Sequence, residues 1–205
     1  MKKLLNRSLR SLLGILLAGS ALGAADLSWG LQLSMAAPVG DLKSMTNSNL
    51  GGDLKGYGLV DLGQGHTLRP QLDALAFSGK PGTLATPYGN LKLNNGTIDV
   101  TMASLGADYL YFINGDPGKA GAYGGAGMDV SVNKVKVSNS ATSVNATSTK
   151  AAYSLVGGYQ FNAHWNVEAS YRYSSWATSD WTLNQQPISL RYTLPTYLLG
   201  AGYRF

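Results

Sequence analysis

Cysteine is absent from this chain of 205 residues, so it can build neither a disulfide framework, nor a thiol nucleophile, nor a thiolate metal site. Glutamate occurs once, at Glu168, and charged residues of all kinds make up only 13% of the sequence, a composition poor in helix formers. Histidine occurs twice, as His66 and His164, and the Asp residues are scattered, so no metal-ligand cluster and no cofactor is expected. The apolar run near the start of the chain falls short of the roughly 20 residues that a membrane-spanning helix needs. What is plentiful is glycine, at 26 residues, and tyrosine, at 12. These suit strands, tight turns and interfaces, and the composition points to an all-β fold.

The first stretch, "MKKLLNRSLRSLLGILLAGSALGAAD", places Lys2, Lys3, Arg7 and Arg10 before an apolar core and ends in small residues. That order is the pattern of a secretory signal peptide over residues 1–24, with cleavage after Ala24 or Ala25. Residues 25–205 then form one domain, and no Cys follows the apolar core to carry a lipid. Removing the leader takes four basic residues away and leaves 12 Lys and Arg against 11 Asp and Glu. Most of the formal charge of +5 thus belongs to the leader and only about +1 stays with the rest of the chain, so no nucleic-acid partner is expected.

Period-two alternation recurs along the rest of the chain. Leu27, Trp29, Leu31, Leu33 and Met35 alternate with Ser28, Gly30, Gln32 and Ser34. Tyr153, Leu155, Tyr159 and Phe161 share one face of "YSLVGGYQF", and Trp165, Val167, Ala169, Tyr171 and Tyr173 share one face of "WNVEASYRY". Tyr197, Leu199, Ala201, Tyr203 and Phe205 repeat the scheme at the end. Fainter alternation runs through "LRPQLDALA", "ASLGADYLYFI" and "AYGGAGMDVSV"; "DLKGYGLVDLG" is the weakest, because Tyr57 and Leu59 share a face with Asp61. The count is eight strands. Their connections alternate between tight turns ("GQGHT", "NGDPGK", "NAH") and long stretches starting near Ala36, Ser78, Val137 and Ala177, which read as solvated, mobile loops. Short turns on one side and long loops on the other are the asymmetry of a membrane barrel.

Residue size decides which face points outward. Large aromatics, among them Trp29, Tyr111, Phe161, Trp165, Tyr203 and Phe205, sit on the apolar faces near the short-turn ends, as in an interfacial girdle. The opposite faces hold Gly, Ser, Gln and ions, a poor soluble core. The ending "YLLGAGYRF" resembles the carboxy-terminal β-signal of bacterial outer-membrane proteins, with Tyr197, Leu199, Tyr203 and Phe205 matching and Ala201 a small substitute. Together with "GGYQFNAHWNVEASYRY", this makes the chain resemble the OmpA/OmpX-like small outer-membrane β-barrel family. The resemblance implies an eight-stranded antiparallel transmembrane meander barrel in the cell outer membrane, inserted by the barrel-assembly machinery. It implies contact with outer-membrane lipid and lipopolysaccharide, and a monomer. The chain stops at the barrel, so no peptidoglycan-binding domain is expected.

The interior of so narrow a barrel is filled by side chains. The charges expected there are Arg69, Asp73, Asp108, Asp129, Glu168, Arg172 and Arg204. They should pair, since an isolated buried charge costs several kcal/mol. Glu168 and Arg204, on consecutive strands, are the leading candidates for a pair, whereas Glu168 and Arg172 lie about 13 Å apart along one strand. Gly within "GAYGGAGMD" makes room for neighbours such as Tyr123. Both His residues fall in short turns, away from the outer-leaflet end, and no Ser stands beside an external His as a nucleophile would require, so enzymatic activity is not expected. Two functions remain: surface interaction through the external loops around a plugged lumen, and a narrow OmpW-like channel for small or apolar solutes.

Overall fold

The computed structural model describes residues 27–47, 49–81, 83–86, 89–92, 96–139, 143–174, 177–183 and 186–205. The expected signal peptide, residues 1–24, lies outside them. The elements in chain order are β1 (Leu27–Pro38), α1 (Gly40–Met45), β2 (Gly51–Gly63), β3 (His66–Lys80), β4 (Thr83–Thr86), β5 (Gly89–Lys92) and β6 (Gly96–Phe112). They continue with β7 (Gly121–Asn139), β8 (Ser143–Gln160), β9 (Trp165–Ser174), β10 (Ala177–Leu183), β11 (Gln186–Tyr192) and β12 (Thr196–Arg204). Eight of these strands close into an antiparallel barrel in the order β1-β12-β9-β8-β7-β6-β3-β2, and β4–β5 and β10–β11 are separate hairpins. The eight barrel strands are the eight that alternation marks. First and last strands seal the wall over Gly30↔Arg204 to Pro38↔Thr196, which leaves no open sheet edge.

Turn chemistry fixes the short-turn rim. Gly63, Gln64 and Gly65 all have positive φ, at 86°, 56° and 82°, and glycine takes up two of the three positions. The Asp61 carboxylate accepts the Gly63 N–H at 2.8 Å where the β2–β3 register shifts. Between β8 and β9, the Asn162 side-chain oxygen accepts the N–H groups of His164 and Trp165 at 2.8 and 2.9 Å. Between β6 and β7, Asp116 accepts the Gly118 N–H at 2.7 Å, and this bond, with Lys119 beside it, holds the Asp116 carboxyl below the usual carboxylate range.

The opposite end differs from the expected loops. β7 and β8 stay paired from Gly121↔Gln160 up to Ser138↔Ser143, so most of "SNSATSVNATST" is ladder, with residues 140–142 outside the description. The reason is local: Val135, Val137, Thr147 and Thr149 are β-branched and favour extended backbone, a preference that the small polar residues between them do not overcome. In the same way β3 runs on to Lys80 and β6 begins at Gly96, with β4–β5 between them; β10–β11 occupies the stretch after Ala177, and α1 follows β1.

Exposure along the strands sorts the two faces. Leu31, Leu33, Met35, Leu54, Leu72, Met128, Val130, Leu155 and Leu199 are exposed on the outer wall, whereas Gln32, Asp53, Lys55, Arg69, Gln71, Asp73, Ser104, Asp108, Asp129 and Glu168 are buried inside. Tyr57 and Leu59 also point inward, which explains the awkward pattern of β2: their face is the luminal one, shared with Asp53 and Lys55. Aromatic residues band both edges of the apolar belt. At the short-turn rim, Trp165 meets Tyr203 edge-on at 4.9 Å, and Tyr203 meets Phe205 at 5.4 Å. At the other edge Tyr171 lies against Tyr197 at 5.1 Å, and Tyr153 pairs with Tyr173 across the ladder.

Candidate functional site

The lumen is built in three layers. Nearest the short-turn rim, Tyr57, Leu59, Leu110, Phe112, Tyr123 and Val156 form a small apolar cluster, with Phe112 stacked on Tyr123 at 4.8 Å. The charged layer lies above it. Toward the long-connection end a larger apolar core gathers Leu75, Phe77, Ile98, Val100, Met102 and Val135 from the wall with Leu42 and Met45 of α1 and Tyr192 and Leu194. Asp41 fastens this cap by accepting the Thr193 N–H and hydroxyl at 2.9 and 3.0 Å. Alternation misses the inward apolar residues, because both faces are apolar just beyond Asp73 and just beyond Asp108. The longer runs "ALAF" and "YLYF" were the available signal.

Inside the charged layer, Glu168 is the hub. It accepts hydrogen bonds from Lys55 and Gln32 at 3.2 Å each, from the Tyr123 hydroxyl at 3.1 Å, and from two nitrogens of Arg69. Arg69 also donates to Asp108 through Nε at 3.0 Å and Nη2 at 2.5 Å, and its guanidinium stands 5.6 Å over the Tyr57 ring. The fork geometry of arginine lets one side chain join carboxylates from β6 and β9 across the lumen. A second group forms above it: Arg172 donates to Asp73 at 2.7 Å and to the Ser104 hydroxyl, and lies 3.7 Å from Asp129. Gln71 Nε2 links the two groups by donating to Asp108 at 3.3 Å and Asp129 at 3.2 Å.

Six of the seven charges expected inside therefore meet in this layer. Arg204 does not join them, and the expected Glu168–Arg204 pair is absent. Register gives the reason: Glu168 lies opposite Gly200, which puts Arg204 four residues farther toward the rim, where its Nε donates to the Ala163 carbonyl at 2.6 Å. Lys55, Gln32, Gln71 and Tyr123 are the members that sequence reasoning left out. Lys55 was readable from its parity with Asp53. The two histidines sit among girdle rings: His66 Nδ1 is 2.5 Å from the Tyr109 hydroxyl, and His164 stacks on Tyr203 with Nδ1 2.8 Å from the Arg204 carbonyl. Among the described residues no three acidic or histidine side chains are grouped to hold a metal ion.

Small residues make space for the large luminal ones. A Cβ on Gly158 would run into the Tyr123 ring and the Val167 carbonyl, and one on Gly30 would run into the Tyr57 ring. Gly158→Val is expected to lower unfolding stability by about 1–3 kcal/mol through overpacking, read as a lower midpoint of heat-modifiable gel mobility in detergent. An unchanged midpoint would mean that Tyr123 has somewhere else to go.

A closed, even-stranded antiparallel barrel with an apolar outer belt, aromatic bands at both edges and a polar interior is a transmembrane outer-membrane barrel. The profile of the outer membrane protein beta-barrel domain family matches residues 12–205, and the chain belongs to that family, whose place is the cell outer membrane. Among solved structures it is similar to Ail, the attachment invasion locus protein of Yersinia pestis, with 16% identity and a TM-score of 0.55 over 88% of this chain and 99% of that one. Neisserial surface protein A is similar over 87% and 95% of the two chains, with 16% identity and a TM-score of 0.50. A major outer membrane protein of Thermus thermophilus aligns over 86% and 99%, with 13% identity and a TM-score of 0.50. At these identities the likeness is one of fold. No curated protein sequence matches the chain.

Proposed function

We propose that this protein works through its external surface, as a scaffold that presents hairpins to lipopolysaccharide and other acidic saccharides, and not as a solute pathway. The observation that carries the reading is how the described residues occupy the lumen: ion pairs cross the middle, and apolar side chains pack toward both ends. The alternative of a narrow channel for small or apolar solutes needs a continuous path that these layers interrupt. Lys134 and Lys136 support the saccharide reading. They project from the outer face of β7 just beyond Val130 and Val132, next to Thr147 and Asn145 of β8, where the apolar belt gives way to the polar extension. A structural relative of 17% identity, Ail, has been solved in complex with the heparin analogue sucrose octasulfate, and the proposal extends binding of that anionic kind to this chain.

The test pairs two measurements on the refolded mature barrel. In planar bilayers the protein is expected to give no discrete current steps; reproducible steps would favour the channel. On immobilised lipopolysaccharide or heparin, Lys134→Ala with Lys136→Ala is expected to weaken binding about twofold to thirtyfold, at roughly 0.2–1 kcal/mol for each of the two exposed charge contacts. Equal binding by wild type and double variant would remove the basic face from the reading. Export by a leader over residues 1–24, recognition of Tyr197, Leu199, Ala201, Tyr203 and Phe205 by the barrel-assembly machinery, and a monomeric state complete the proposal. The sealed wall, which offers no open edge strand to a second chain, supports the monomer, and the outward apolar belt supports export to a membrane.

A further inference from the structure

Charge in the middle of the lumen does not balance. Among the described residues, five buried carboxylates, Asp53, Asp73, Asp108, Asp129 and Glu168, share the layer with three buried cations, Lys55, Arg69 and Arg172. Arg69 serves Asp108 and Glu168, Lys55 adds to Glu168, and Arg172 serves Asp73 and Asp129. Arg204, at the rim, is turned to the Ala163 carbonyl. Asp53 is in none of the ion pairs among the described residues. It is 1% exposed, and neither carboxylate oxygen has a hydrogen-bond partner at normal geometry; its cross-strand neighbour is Ser34.

Asp53 lines a small luminal cavity of about 10 Å³ together with Lys55, Gln71, Asp73, Asp129 and Arg172, with Ser154 and Ser170 on its wall. That is room for one water-sized body. The five charges around it sum to −1. Gln71, whose amide nitrogen is spent on Asp108 and Asp129, has its side-chain oxygen without a partner as well. Two residues of the cavity wall thus hold three buried acceptor oxygens without a donor, alongside one donor without an acceptor, Arg172 Nε, and the charges of the wall leave an excess of one negative.

We propose that this cavity binds one small univalent cation of sodium size, held by the Asp53 carboxylate and the Gln71 side-chain oxygen. A proton on Asp53 would cancel the charge and turn one carboxyl oxygen into a donor, but would still leave one of the three oxygens without a donor. A hard cation takes several oxygen ligands at once. A divalent ion calls for more free carboxylates: Asp73 and Asp129 on the same wall are taken up by Arg172, and among the described residues no three acidic side chains are grouped closely enough to hold a metal ion together. The ion completes the upper charge group and stiffens the layer between the two apolar clusters. It is separate from the saccharide-binding surface.

The refolded protein in detergent tests this through the midpoint of its heat-modifiable gel mobility in sodium chloride and in N-methylglucamine chloride of equal ionic strength. Replacing sodium is expected to lower the midpoint of the wild type by about 2–4 °C. Asp53→Asn is expected to give the same midpoint in both salts, and Asp116→Asn, in an exposed turn, to keep the wild-type difference. A wild-type midpoint that follows pH but not the cation would assign the charge to a proton and overturn the proposal, as would a sodium effect that survives in Asp53→Asn. Should Asp53→Asn fail to refold, the sodium NMR line of the wild type decides: broadening that excess potassium does not abolish supports a sodium-sized site, and no broadening beyond that of empty micelles overturns it.

Discussion

Arg69→Met is expected to lower unfolding stability by about 3–5 kcal/mol, because it leaves the carboxylates of Asp108 and Glu168 buried without the cation between them. Arg69 is 1% exposed, Asp108 0% and Glu168 2%, so water cannot take over the role of the guanidinium. Lys55, Gln32 and Tyr123 remain on Glu168, but Asp108 keeps only Gln71 and Ser154, the latter at 2.8 Å. Urea unfolding of the barrel in lipid vesicles, followed by fluorescence of Trp29 and Trp165 on the outer wall, measures the loss. Glu168→Gln and Asp108→Asn added to Arg69→Met are expected to recover most of it, since the damage is the stranded charge and not the missing contact. A loss below about 1 kcal/mol in the single variant would mean that the pair already sits in water. Conductance is expected to stay at baseline, because the apolar layers above and below are untouched.

Phe77→Ala is expected to cost a similar 3–5 kcal/mol for a different reason. Phe77 is 2% exposed on the luminal face of β3, two residues beyond Leu75, where the interior turns from charged to apolar. Its ring packs in the core that α1 and residues 192–194 close from outside, so truncation opens a cavity under the cap. The same urea titration reads the stability, and limited proteolysis is expected to cut near α1 faster in the variant. If protease sensitivity and stability both match the wild type, the cap is not docked on Phe77. Against Arg69→Met, this variant separates two roles: the charged layer holds the strands in register across the lumen, and the apolar core holds the external elements on the barrel.

Much of this architecture is readable in the linear chain. Strand length and alternation come from the covalent sequence through the pleat, which sends successive side chains to opposite faces, so Leu31, Leu33 and Met35 outward and Gln32 and Ser34 inward follow without any tertiary knowledge. Turns such as Gly63–Gln64–Gly65 follow from local φ preference. The long connections were harder to read, because Ser, Thr and Asn allow both loop and strand; pairing across the ladder decided that "SNSATSVNATST" extends the barrel wall.

The sequence by itself determined the eight strands of the barrel and the face each presents to lipid, because these depend on interactions within a few residues. It also put Arg69, Asp73, Asp108, Asp129, Glu168 and Arg172 inside. Only the tertiary structure decided who meets whom. Glu168 is joined to Lys55 and Arg69 on strands far from it in sequence, and Arg204 is carried past it, because barrel closure and register set depth across the lumen. The same closure turned Leu75, Phe77, Leu110 and Phe112 into plugs above and below the charges, and left Asp53 buried outside the ion pairs of the described residues.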